Sequence, residues 1–180
     1  QLIELDMDPK GSNQRRLFGS SIRTSVDQAI ALRSRLRDIP IRDIQDVEAM
    51  AALDAESRTA LQLPERIADV LVGVVFAEDK AGHLRTRLEN LAALADKAAS
   101  GDSEALGNLL REAHRDLAKD VSNGRPRSPF HWPLEFPEVF ERKNGGFDGF
   151  VGNPPFLGGK RISTVMGPAY NIWLTKIHDG

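Results

Sequence analysis

Four consecutive residues carry the most chemistry in the chain: Asn153-Pro154-Pro155-Phe156. Each proline fixes its own φ, lacks an N–H and pushes the residue before it toward extended geometry. Asn153 and Pro154 are therefore both expected to be extended. The Asn153 side-chain oxygen and the Pro154 carbonyl can then face one point. Two acceptors converging there suit an –NH2 group, which has two hydrogens to donate, and Phe156 adds a flat apolar face. Just upstream, Gly146-Phe147-Asp148-Gly149-Phe150-Val151-Gly152 predicts a short buried strand over 147–151 that ends in this stiff corner. The carboxyl end of such a strand is where open α/β sheets bind ligands.

A second segment precedes it: Pro129-Phe130-His131-Trp132-Pro133-Leu134-Glu135-Phe136-Pro137-Glu138-Val139-Phe140. The two together resemble the catalytic region of bacterial N6-adenine DNA methyltransferases, specifically the large methylases of type IIG restriction–modification and of the BREX and DISARM phage-defence systems. The resemblance covers roughly the last third of the chain, and the pair of motifs is far more specific than the tetrapeptide alone. It implies that Asn153 and Pro154 accept the two N6 hydrogens of a flipped adenine, with Phe156 stacked on the base. By analogy with other base–aromatic contacts, that stacking contributes about 1–3 kcal/mol. The methyl donor implied is S-adenosyl-L-methionine. The catalytic residues implied are Asn153, Pro154 and Phe156; Pro155 and Lys160 join them in binding substrate. Asn at the first motif position, where cytosine-N4 relatives more often have Ser, favours adenine. The partner implied is double-stranded DNA, held through the complete parent protein, together with defence-system proteins.

Two rivals stand beside this reading. Protein-glutamine N5-methyltransferases use the same loop on a side-chain amide; the segment around Trp132 and the long helical region argue against them. A helical interaction module whose last turn merely resembles the motif is the other. Asn and Pro are common turn formers.

The 180 residues have a net charge of -2 and a hydrophobic fraction of 41%. A free-standing DNA-binding domain is usually basic, so the charge counts mildly against DNA contacts made by this chain alone. Cysteine is absent, which rules out disulfides and cysteine metal sites and fits a reducing cytoplasm. His83, His114 and His178 form no metal-ligand spacing, so no metal site is predicted. No apolar run approaches a membrane span.

The rest of the chain must position the loop. The expected fold is mainly α with a small α/β part: a helical insertion plus a fragment of a Rossmann-like S-adenosylmethionine-dependent methyltransferase sheet. Residues 1–19 are expected as an irregular lead-in and 20–122 as a helical region. Within it, Ser20 or Ser21 caps a helix to about Asp38, whose Arg33, Arg35 and Arg37 are expected as a solvated face. A second helix spans roughly 44–61, with Val47, Met50, Ala51 and Leu53 toward a core. Pro64 marks a boundary before a buried helix over 67–76.

A helical hairpin is expected over about 80–122, turning at Gly101, with Leu106, Leu110, Ala113, Leu117 and Val121 on one face. Residues 123–129 are a linker and 130–180 the catalytic-motif segment, closing with a helix over 169–177. Trp132 is expected as a core anchor, His131 as a packing or hydrogen-bonding residue, and Glu135 and Glu138 as structural or exposed. A Gly-rich cofactor loop and an acidic ribose-binding residue are missing, so the cofactor-contact residues are unknown. The chain is expected to be an internal fragment of a larger protein, inactive alone.

Overall fold

The computed structural model of the chain describes residues 13–77, 81–121 and 125–152, together with Thr164, Gly167, Pro168, Tyr170, Ile172 and Leu174; side chains are described from Ile22 onward, except at 81–82. The elements are helical: α1 Asn13–Arg37, α2 Ile44–Ala77, α3 Ala81–Ala99, α4 Ser103–Leu117, and the single turns α5 Trp132–Glu135 and α6 Pro137–Phe140. No strand occurs among the described residues.

The chain divides into two compact units. One comprises 1–65 and 130–148, the other 66–129 and 149–180. The first buries Val26, Ala29 and Leu32 of α1, Ser57 and Leu61 of α2, and Leu134 and Pro137. The second buries Ile67, Ala68, Val70 and Val74 of α2, Leu91, Ala95 and Ala98 of α3, and Ala105, Leu109, Ala113 and Leu117 of α4. A fully buried Leu or Ile contributes about 1.5–3 kcal/mol, so each unit has a core of its own.

Local chemistry explains the helix ends. α1 starts earlier than Ser20, because Gln14, Arg15, Arg16 and Leu17 are all good helix formers and extend the first turn backward. At α2, Asp43 Oδ1 accepts from the N–H groups of Gln45 (2.8 Å) and Asp46 (3.2 Å), while Asp46 Oδ2 reaches back to the Arg42 N–H at 2.9 Å. This reciprocal cap satisfies donors that the first turn leaves free.

The predicted break at Pro64 does not occur, and α2 runs through it. A mid-helix proline costs about 3 kcal/mol. Here the ring is buried, and the helix carries buried residues on both sides of it, Leu61 and Ile67 among them. Their burial offsets the lost bond. The expected core positions near the start of α2 are only loosely covered: Val47 is 44% exposed and Ala51 is exposed, with Met50 and Leu53 intermediate.

The predicted hairpin is present. α3 ends in a Schellman motif, with the Gly101 N–H on the Ala98 carbonyl (3.0 Å) and the Asp102 N–H on the Lys97 carbonyl (3.0 Å). Gly101 has φ +92°, a left-handed conformation that a side chain would disfavour. Asp102 then caps α4, its carboxylate accepting from the Glu104 and Ala105 N–H groups. The buried stripe of α4 is Ala105, Leu109, Ala113, Asp116 and Leu117. Ala113 and Leu117 are buried as predicted, but toward the start of α4 the stripe falls on Ala105 and Leu109 rather than on Leu106, which is intermediate, and Leu110, which is 41% exposed. A charged Asp116 inside the stripe is what disguised it.

Of the predicted helix over 169–177, Tyr170, Ile172 and Leu174 are described and helical. Tyr170 and Leu174 are half-buried and Ile172 is exposed, which is the expected orientation. Trp173 and Ile177 lie outside the described residues.

Candidate active-site approach

The segment 130–148 is built by its prolines. Pro133 sits in the first turn of α5 and Pro137 opens α6; there a missing N–H costs nothing. Each helix is therefore a single turn, and Phe136 between them adopts φ -131°, ψ 57°. The His131 carbonyl accepts from the Leu134 and Glu135 N–H groups, both at 2.9 Å, and closes α5.

This zigzag gathers five aromatic rings. Trp132 meets Phe130 edge-on at 4.8 Å and stacks on Phe136 at 6.0 Å. Phe147 stands edge-on to Trp132 (5.4 Å), Phe136 (5.4 Å) and Phe140 (5.5 Å). Such pairs contribute about 0.5–1.5 kcal/mol each beyond area burial. Trp132 is not the core anchor expected of it: it is 47% exposed, and Phe130 is 54% exposed. The buried anchors are Leu134 and Pro137.

After α6 the chain folds back on itself. The Gly146 N–H donates to the Val139 carbonyl at 3.1 Å. A Cβ on Gly145 would lie 2.2 Å from the Phe140 carbonyl oxygen, so only glycine fits. Arg142 ties the turn by donating to the Gly146 carbonyl and to Asp148 Oδ2. The glycine pair thus builds the turn that delivers Phe147 to the aromatic cluster.

The buried strand predicted over 147–151 is not formed. Residues 147–152 are irregular, and Phe150 and Val151 are exposed, at 76% and 106%. A strand needs a neighbouring backbone to bond with, and no strand among the described residues offers one. Phe147 is half-buried, but among aromatic rings rather than in a sheet.

Arg33, Arg35 and Arg37 are expected as a solvated face and Glu135 and Glu138 as structural or exposed; Arg23 and Glu141 carry no expectation. The structure pairs most of them. Arg37 Nη1 donates to Glu138 Oε1 at 3.1 Å, Arg23 Nη2 meets Glu141 Oε2 at 3.0 Å, and Arg33 reaches Ser57, Glu135 and Glu138 together. The expected solvated face is thus correct for exposed Arg35 but not for Arg33. The signal was present in sequence only as charge complementarity between segments about a hundred residues apart, which no local pattern reveals.

A second candidate place is a shallow recess of about 380 Å³ lined by Ala77, Arg87, Arg115, Asp116, Ala118 and Lys119. Its cations are already engaged. Arg87 and Arg115 both bond the buried Asp116, and Lys119 Nζ donates to the Ala77 carbonyl at the end of α2. The Asp116 hydrogen bond raises the Arg115 pKa above its ordinary value. The recess is lined by an ion cluster in which the buried Asp116 is held by half-buried Arg87 and exposed Arg115.

Asn153, Pro154, Pro155, Phe156 and Lys160 lie outside the described residues, as does His178. Among the described residues no three His, Cys, Asp or Glu side chains gather to hold a metal ion, and no helix is long and apolar enough to cross a membrane. Nor do they include the Gly-rich turn at a strand end, with a nearby ribose-binding carboxylate, that S-adenosylmethionine would need. They therefore do not fit that group.

In sequence, the proline-built, aromatic-rich segment over 130–148 comes shortly before Asn153-Pro154-Pro155-Phe156. Residues 21–176 match the family model of the Eco57I restriction-modification methylase. That span is most of the chain, and the chain belongs to this family of restriction-modification methyltransferases. No curated protein and no solved structure matches it.

Proposed function

We propose that this chain supplies the substrate-amine site of a site-specific DNA adenine-N6 methyltransferase acting in restriction–modification or phage defence. The observation that carries this reading is the extent of the family match, 21–176. It takes in both the zigzag segment and the sequence Asn153-Pro154-Pro155-Phe156, not the tetrapeptide alone. The same span weakens the glutamine-methylating alternative, because the matched family is one of restriction-modification methylases.

In this reading Asn153 Oδ1 and the Pro154 carbonyl accept the two N6 hydrogens of a flipped adenine. The two acceptors polarise the N–H bonds toward nitrogen and hold the amino group away from its planar geometry, which takes the lone pair out of conjugation with the ring and makes the nitrogen more nucleophilic. Phe156 stacks on the base, Pro155 stiffens the corner, and Lys160 meets a phosphate. S-adenosylmethionine, when bound, supplies the electrophilic methyl group; its contacts are assigned to none of the described residues. Double-stranded DNA is bound through the complete protein in the cytoplasm, alongside other defence-system proteins.

The test is Asn153→Ala in the full protein. Preorganised polar groups of this kind are worth about 10²–10³ in rate, so methylation should fall at least about a hundredfold while S-adenosylmethionine affinity is retained. N6-methyladenine at wild-type level in the DNA of cells expressing the variant would refute the assignment.

A further inference from the structure

We infer that the first half of α2 is a docking surface for a protein helix whose apolar stripe is flanked by lysine and arginine. The inference is independent of the chemistry proposed for Asn153, and every residue it uses lies in the first unit.

Residues 44–56 open α2, yet none of them is buried; the first buried residue of the helix is Ser57. The stretch is not polar in compensation. Ile41 and Ile44 are 69% and 68% exposed, and Val47, Ala51 and Ala55 are exposed as well. Scattered exposed apolar residues are ordinary. These are aligned: Ile44, Val47, Ala51 and Ala55 recur at three and four and so share one face. At 3.6 residues per turn, that face lies roughly a quarter turn from the one carrying Ser57 and Leu61, which are buried in the first unit. From Ile44 to Ala55 the stripe runs for about 17 Å. Its large side chains stand at one end, and the alanines at the other let a second helix approach closely.

The charges beside the stripe decide what fits it. Asp43 and Asp46 serve backbone N–H groups at the start of α2. Beyond that cap, Glu48, Asp54 and Glu56 stand against Arg58, which Asp54 already holds at 2.8 Å. By helical position Glu48 borders the stripe on one side and Asp54 on the other. Carboxylates along both edges of an apolar seam select cations on the facing helix, as flanking positions do in coiled coils. A second copy would dock the same face on itself and set acid against acid, which the seam disfavours.

The test titrates the chain into two fluorescein-labelled synthetic helices of about 15 residues. One is built of leucine and lysine, the other of leucine and glutamate in the same pattern. By fluorescence anisotropy at about 0.1 M salt, the lysine helix should bind at least about tenfold more tightly. The ratio should fall toward one at about 1 M salt, where screening reaches about 3 Å. Bound lysine helix should slow amide exchange over 44–56. Ile44→Ser with Val47→Ser should weaken its binding about tenfold or more, with the melting temperature within about 2 °C of wild type. Glu48→Lys with Asp54→Lys should reverse the preference between the two helices. Leu110→Ser, at an exposed leucine of α4, should change nothing. Equal affinity for the two helices, undiminished binding in the serine pair, or no saturation up to about 1 mM overturns the inference. So does a chain that sediments as a dimer and becomes a monomer in the serine pair, because a second copy would then fill the face. If the serine pair melts lower, the charge-reversed pair decides, and an unchanged preference there overturns the inference.

Discussion

Among single residues, Asp96 carries a liability with a definite pH signature. Its Oδ1 is buried with no hydrogen-bond partner, and desolvation raises its pKa above the ordinary 3.8. The folded chain therefore holds this proton more tightly than the unfolded one. Stability falls as pH rises from the ordinary value through the raised one, and the penalty persists at every higher pH. Asp96→Asn should accordingly melt above wild type at pH 7, with the gap closing toward about pH 4. A gap that is constant with pH, measured by thermal melting of both proteins, would show that burial of the charge is not the cause. No local pattern marks this, since in sequence Asp96 looks like any polar residue beside an Ala-rich stripe. For Glu138 the sequence left structural and exposed open, and the roles of Arg33 and Trp132 were not legible, because they depend on contacts made elsewhere along the chain. The chemistry proposed for Asn153, Pro154 and Phe156 rests on residue type and order alone, since these residues lie outside the described ones.

At the level of helices and turns, Gly101 as a stop and Asp102 as a cap were good guides, whereas Ser20 or Ser21 as a cap and Pro64 as a break were not. The α3–α4 hairpin followed from leucine and alanine spacing with Gly101 and Asp102 at the turn. The expected break at Pro64 failed because burial outweighed a local penalty of known size. The predicted strand over 147–151 failed because strand formation belongs to a pair of segments, not to one. Close packing at Gly73 was also hidden. A Cβ there would lie 3.1 Å from Asp116 Cβ and 3.4 Å from Leu117 Cγ, so α2 approaches α4 only because the side chain is missing. Two effects oppose each other in Gly73→Ala. Helix propensity gains about 0.8–1 kcal/mol, and overpacking costs about 1–3 kcal/mol. Asp116 is held by both Arg87 and Arg115 and has little freedom to retreat, so the cost should win by about 1 kcal/mol. Chemical denaturation would check this; a variant more stable than wild type would mean that α4 yields at this point.

For the molecule as a whole, charge and architecture argue the same way about what the 180 residues do unaided. Non-specific DNA affinity comes mainly from neutralising phosphates with Lys and Arg. Here 24 such residues stand against 26 Asp and Glu, and several of the arginines are already engaged by carboxylates within the units. The described residues also form helices without a strand, whereas a Rossmann-like cofactor site is made at strand ends. The chain expressed by itself should therefore give no saturable heat with S-adenosylmethionine in calorimetry. It should shift a DNA duplex only at low salt, with a shallow salt slope, since few cations remain to release counterions. Micromolar cofactor binding by the isolated chain would overturn this, because it would require a cofactor site within these 180 residues. Tight DNA binding without cofactor binding would be different in kind: it would assign target recognition to the helical units and leave the amine-site reading of Asn153 untouched.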